Sequence, residues 1–333
     1  MKNKRAFEMS FGWLFALIVG AFILFFAIFL TTRIGQVSEY EIDTTTAARI
    51  GVLLNPIETS FASGISTYMI LPSETRIFNE CELESESNSE DKFGIQRISL
   101  SQLSRGKWSE PGGRVGFNNK YIFSTGIVQG KRFELFSKPF EFPFKVANVI
   151  YMTSSEKNYC FRNPPEDIEI EINSLQQKNL GANNCTFASS EANETVNVCF
   201  GGGGSNARGC DINVYYKEGG FGELSEGYVE KSAGSEKVFF VGDALMYGAV
   251  FADNEIYSCQ TSRLMKRLNI LTEIYIDKSK FLAGKQCTSG LEGELTSLAN
   301  SALEYKSDVD LISMKSFVED LDEKNFEVEC KLW

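Results

Sequence analysis

The chain holds no histidine among its 333 residues. That excludes a Ser-His-Asp triad, a Cys-His pair and a His-ligated zinc or haem. Without an imidazole, a nucleophilic serine would need a lysine as its base. Ser104–Lys107 and Ser154–Lys157 have the S-x-x-K spacing. Both stand in polar, loop-like surroundings that would not desolvate a lysine enough to make it one. Gly202, Gly204 and Ala207 match G-x-G-x-x-A. A dinucleotide fold sets that motif between a strand and a helix, whereas here Cys210 and a strand-like run follow. No Gly-Lys-Ser/Thr phosphate loop is present, so no cofactor set is read. Carboxylate-pair hydrolysis needs only two well-placed acids, and 44 Asp and Glu leave it open as the alternative to a non-enzymatic role. The acidic run around Cys81 (Glu80, Glu82, Glu84, Glu86, Glu90, Asp91) reads as a solvated loop without calcium-loop spacing. Arg263, Lys266 and Arg267 read as a surface face of ion pairs on a helix.

Eight cysteines remain as the chemistry with a clear pattern: Cys81, Cys160, Cys185, Cys199, Cys210, Cys259, Cys287 and Cys330. No two are close enough for the paired thiolates of a zinc ribbon, and no metal site is read from them. An even number of widely spaced cysteines reads as disulfides formed in an oxidising compartment. Asn184-Cys185-Thr186 and Asn193-Glu194-Thr195 are glycosylation sequons, which makes Asn184 and Asn193 candidate acceptors.

The compartment follows from the first thirty residues. After Lys2, Lys4 and Arg5, residues 11–30 (FGWLFALIVGAFILFFAIFL) carry no charge. Twenty helical residues span roughly 30 Å, the hydrocarbon thickness of a bilayer. No small-residue cleavage pattern follows, so a retained anchor is expected rather than a signal peptide. Basic residues precede the span, while Arg33 and then Glu39, Glu41 and Asp43 follow it. The positive-inside rule therefore places the N-terminus in the cytoplasm and residues 34–333 outside. That outer part carries 29 basic and 43 acidic residues, a net charge of −14. Such a charge favours solubility, and with a pI near 4.8 it argues against nucleic acid as a partner.

Around these features the chain divides into a basic leader (1–10), a transmembrane helix (11–30) and a helical stalk (31–64). A β-rich ectodomain (65–250) and a C-terminal helical region (251–333) follow. The expected fold class is α+β: a transmembrane helix, a disulfide-bonded β-rich ectodomain and a helical C-terminal segment. In the stalk, Ala47, Ala48, Ile50, Leu53, Leu54 and Ile57 supply apolar positions, while Gly35 and Thr44–Thr46 argue against one unbroken rod. Alternation over Tyr121–Ile127, a turn at Gln129-Gly130 and Lys131–Phe136 read as a hairpin. Pro139 and Pro143 make Phe136–Tyr151 an edge strand. Pro164-Pro165-Glu166-Asp167 opens a helix with Ile168, Ile172 and Leu175 inward. Ile212–Tyr216 and Lys237–Val241 are strands.

All seven prolines precede residue 166, which frees the distal half for helices. One should run over 254–281, with Ile256, Leu264, Leu268, Leu271 and Tyr275 on one face. Ser289-Gly290-Leu291-Glu292 is a capping-box pattern opening a second, and Ser307-Asp308-Val309-Asp310 opens a third. These helices constrain the cysteines. If the first is unbroken to Phe281, Cys259 lies roughly 33 Å behind its end. Six residues reach back only about 21 Å. Cys259 and Cys287 then cannot meet, and Cys330 returns beside Cys287 instead.

Lys4-Arg5-Ala6-Phe7-Glu8-Met9-Ser10 and the apolar run after it resemble the N-termini of archaeal type IV pilin-like proteins. That resemblance implies a basic leader removed by a peptidase and a hydrophobic helix that anchors the subunit or packs into a filament. A cut after Arg5 would make Glu8 the third residue, where the family commonly has glutamate fifth. LNPIETSFASG (54–64), KYIFS (120–124), FSKPFEFPFKVANVIY (136–151) and DALMYGAVFADNEIYSC (243–259) look like a group of single-pass membrane proteins of small-genome (DPANN-type) archaea. The expected function is a non-enzymatic, membrane-anchored surface protein, either an adhesion or interaction module or a pilin-like subunit. Its partners would be the lipid bilayer and a protein partner or further copies of itself.

Overall fold

The computed structural model describes residues 11–55, 65–83, 93–185, 187, 194–201, 209–220, 222–232 and 234–333. The leader, residues 56–64, Glu84, Glu86, Glu90, Asp91, Asn193 and the Gly202/Gly204/Ala207 motif lie outside the described residues.

Helix α1 (Phe11–Leu53) is continuous for 43 residues, roughly 65 Å. Gly12–Leu30 has a mean hydropathy of 2.8 and none of it is buried. Further along, Asp43, Ala47, Ile50, Gly51 and Leu54 recur at helical spacing and are buried against the first sheet. Ala48 and Leu53 face outward. Neither Gly35 nor the threonines break the helix, because tertiary packing of this face outweighs their weak propensity.

The first sheet contains β1 (Ile65–Glu82), β2 (Ile95–Ser104), β3 (Lys107–Trp108), β4 (Val115–Phe117), β5 (Ile122–Phe123), β6 (Ile127–Glu141) and β7 (Lys145–Ser154). Its order is β3-β2-β1-β6-β7-β5, with β4 paired to β2. All pairs are antiparallel except β5 with β7. Two expectations fail here. Gln129-Gly130 makes no turn and lies inside β6, opposite Arg76 and Thr75, where the pairing register shifts between Ile70 and Thr75. The irregularity is carried by β1, whose Leu71–Glu74 bulge out beside Pro72. Nor is Phe136–Tyr151 an edge strand: it is the end of β6 and most of β7, both interior. Pro139 is tolerated because β1 pairs with β6 only as far as Ser137, so no further strand lies on that side.

The second sheet contains β8 (Lys157–Arg162), β9 (Leu180–Ala182), β10 (Glu194–Phe200), β11 (Ile212–Lys217), β12 (Glu226–Glu230) and β13 (Val238–Val241), in the order β13-β12-β11-β10-β8-β9. It is mixed, with β9, β8, β10 and β11 mutually parallel. Helix α2 (Glu166–Leu175) connects β8 to β9 and buries Ile168, Ile172 and Leu175. Helix α3 (Asp243–Phe251) lies within the core, with every residue from Ala244 to Phe251 buried. Such a short, uniformly apolar segment has no helical period to read, so the sequence left it inside the β-rich region. Gly248 is required there, since a Cβ would stand 2.7 Å from the Phe123 ring.

Helices α4 (Asn254–Ala283), α5 (Glu292–Glu304) and α6 (Val309–Glu327) complete the chain. Leu264 and Leu268, Leu295 and Leu298, and Leu311 and Val318 join the same core as the strands, which runs unbroken past residue 250. The capping box at Ser289 does not form. The N-cap of α5 is Leu291, without a side-chain cap, and the Ser289 hydroxyl shares a 2.8 Å hydrogen bond with that of Ser279. The free edge of β13 is blunted: the Phe239 N–H donates to Asp308 (2.5 Å) and its carbonyl accepts from the Tyr257 hydroxyl (2.6 Å).

Four disulfides join Cys81 to Cys259, Cys160 to Cys185, Cys199 to Cys210 and Cys287 to Cys330. The chain is thus an α+β protein with two β-sheets, an N-terminal apolar helix and four disulfides. The segment after α6 is tied down as well. Leu332 is fully buried, its N–H donates to Asn325, and Trp333 packs on Tyr275 and Phe144.

Candidate functional site

The basic cluster on α4 departs furthest from its sequence reading. Arg263 is fully buried, not part of a surface face. No carboxylate holds it among the described residues. Its guanidinium donates to the carbonyls of Lys120 (2.8 Å), Asn118 (2.9 Å) and Phe93 (3.1 Å) and to the Gln260 side chain (2.9 Å), over the Tyr121 ring. Burial pulls its pKa down to about 10. Gln260 continues the chain of bonds to Gln96, which donates to Asn79, and Asn79 donates to the Ser124 hydroxyl at 2.7 Å. Beside this seam Cys259 bonds Cys81. Polar groups and a disulfide thus bolt α4 to the first sheet; no spacing rule separates an arginine of this kind from one in solvent.

The acids also sort themselves. Glu171 of α2 and Asp243 of α3 share Lys138, whose ammonium is 2.7 Å from the first and 3.7 Å from the second. The Tyr247 hydroxyl donates to Glu171 (3.0 Å), and Tyr216 and Ser225 donate to Asp243 (2.8 and 2.6 Å). A glycosidase pair needs space for a sugar and water between its carboxylates, and a lysine fills that space here. This is an internal ion-pair network.

A second acid group borders a cavity of about 230 Å3 where β6 and β7 meet the starts of β8 and β10. Glu156 sits in the turn between β7 and β8 and makes no side-chain hydrogen bond or ion pair among the described residues. Burial, and then Glu74, raise its carboxyl pKa. Glu74 itself accepts from Gln129 at 2.6 Å. Tyr159 is 7% exposed with its ring 5.0 Å from that of Phe251. Its hydroxyl makes no hydrogen bond among the described residues, and burial, with Glu194 and Asp253 nearby, lifts it to about 12. Lys157 at the rim pairs with Glu194 at 3.3 Å. Ile127 and Phe251 supply apolar side chains to the lining, while those of Val128 and Met152 pack in the core beside α1. Gly130 keeps the turn in place, because a Cβ there would strike the Ser154 hydroxyl.

Neither serine–lysine spacing makes a dyad. Ser104 and Lys107 face each other exposed across the turn from β2 to β3. Ser154 is buried at the end of β7, and Lys157 is exposed and engaged with Glu194. Asn184 is exposed beside the bridged Cys185. Among the described residues no group of three His, Cys, Asp or Glu side chains could hold a metal ion. No protein-family model, curated protein or solved structure matches this chain.

Proposed function

We propose that this chain is a membrane-anchored surface protein whose task is display and interaction rather than catalysis. Gly12–Leu30 would be the retained single span, with the N-terminus cytoplasmic and residues 34–333 outside. The supporting observation is the dual use of α1. Its first half is apolar and uncovered, and its last turns are part of the domain's own core. An uncovered apolar face of this size calls for a lipid or protein environment. Four disulfides fit an extracytoplasmic, oxidising location. The hydrolase alternative draws no support from Glu171 and Asp243, which are both engaged by Lys138.

A pilin-like role is the second reading. It draws on Lys4-Arg5 ahead of the apolar run and on a helix half free to pack with other copies. Fractionation tests both. A chain with intact Met1 that stays in carbonate-washed membranes is the anchor's expected result. Chains beginning at Ala6 in sheared surface material would establish the pilin-like role. Recovery in the wash as a soluble protein would overturn both.

A further inference from the structure

The cavity at Glu156 has the makings of a binding site independent of how the chain is mounted. Two polar groups that line it lack partners among the described residues: the Glu156 carboxylate and the Tyr159 hydroxyl. Both border the cavity, so they are open to hydrogen bonds from a small molecule within it. The local charge selects its sign. Lys157 is taken by Glu194, which leaves Glu156 as the unneutralised charge on the lining, with Glu74 behind Gln129 adding to the negative potential. Ile127 and the aromatic pair Tyr159 and Phe251 also line it, and they suit an alkyl chain and an adjacent positive charge. At about 230 Å3 the space admits only a short molecule.

We infer that this cavity binds a small alkylammonium, its charged group donating to Glu156 and the Tyr159 hydroxyl and its chain lying against Ile127 and Phe251. A cation there relieves the repulsion between Glu156 and Glu74. Binding therefore weakens as pH falls and Glu156 takes up a proton, earlier than for an ordinary glutamate.

Calorimetric titration of the full-length protein in detergent with n-butylammonium, n-butanol and butyrate tests this. Saturable binding of butylammonium is expected, at least tenfold tighter than butanol, with no binding of butyrate. Glu156→Gln should weaken it about tenfold or more, and Tyr159→Phe about threefold, with circular dichroism unchanged. Thr125→Phe, at the rim, should block entry without removing a charge. The absence of saturable butylammonium binding, equal binding of butanol or butyrate, or a Glu156→Gln protein that binds as well as the wild type overturns the proposal. Fractionation of the chain has no bearing on these results, so this site and the anchored role fail separately.

Discussion

Helices α1 and α4 both pack on the first sheet, by opposite means. The docked turns of α1 present Ala47, Ile50 and Leu54, with Gly51 against the ring of Phe117. Their polar ties lie at one end, where Asp43 accepts from the Ser109 hydroxyl (2.8 Å) and Thr44 accepts from the Gly113 N–H (2.7 Å). Helix α4 instead drives an arginine, a glutamine and a disulfide into the sheet. An apolar face tolerates exchange for other side chains of similar volume. A buried polar network is high-stakes, because each partner lost leaves another unsatisfied. The two attachments should therefore fail differently.

The largest effect is expected at Arg263. Arg263→Met leaves the carbonyls of Lys120, Asn118 and Phe93 without their donor, at a cost of about 3–5 kcal/mol in urea unfolding with disulfides intact. Arg263→Lys should recover only a minor part, since one ammonium cannot reach all the carbonyl acceptors arranged around a planar fork. Full recovery by lysine would show that charge alone matters there.

On α1, Gly51→Leu should cost about 1–3 kcal/mol by overpacking against Phe117, while Ala48→Leu on the outward face stays within about 0.5 kcal/mol. Equal losses would mean that the helix is not docked through this face.

Half-buried Lys231 supplies a contrast to Arg263, since its side chain has no hydrogen bond among the described residues. Burial lowers its pKa from 10.5 to about 8. The folded chain thus holds this proton less tightly than the unfolded one, so stability rises as pH climbs from about 8 to 10.5. Lys231→Met should be about 1 kcal/mol more stable at pH 7 and lose that rise. A variant that is less stable at pH 7 would refute the burial cost. The smallest effect concerns Ser279 and Ser289, whose double-mutant cycle to alanine should show a coupling of about 0.5–1 kcal/mol. Zero coupling would show that the bond between the two hydroxyls contributes nothing to stability.

What could be read in the sequence tracks this contrast. Helical stripes were legible wherever one face is apolar: Ile168/Ile172/Leu175, Leu295/Leu298 and Leu311/Val318 all lie inward. Helix length alone sets Cys259 apart from Cys287, and in the structure Cys259 meets Cys81 across 178 residues. No local pattern carries a link of that span. Helix α3 was invisible because it is apolar on every side. Gly130 misled because glycine marks turns and also serves where a neighbouring strand leaves no room for a Cβ. The cavity was illegible for a related reason. Glu156 and Tyr159 are ordinary residues, singled out only by the partners they lack, and that is a property of three-dimensional placement.

The continuity of α1 has a mechanical consequence. A pull on its apolar half passes without a hinge into Asp43–Leu54, then through β2 into β1, and across the Cys81–Cys259 covalent link into α4. That load path runs through the first sheet and its two helices. Strands β8–β13 lie off that route and meet it through the core they share with α4, so tension reaches them as a change in packing.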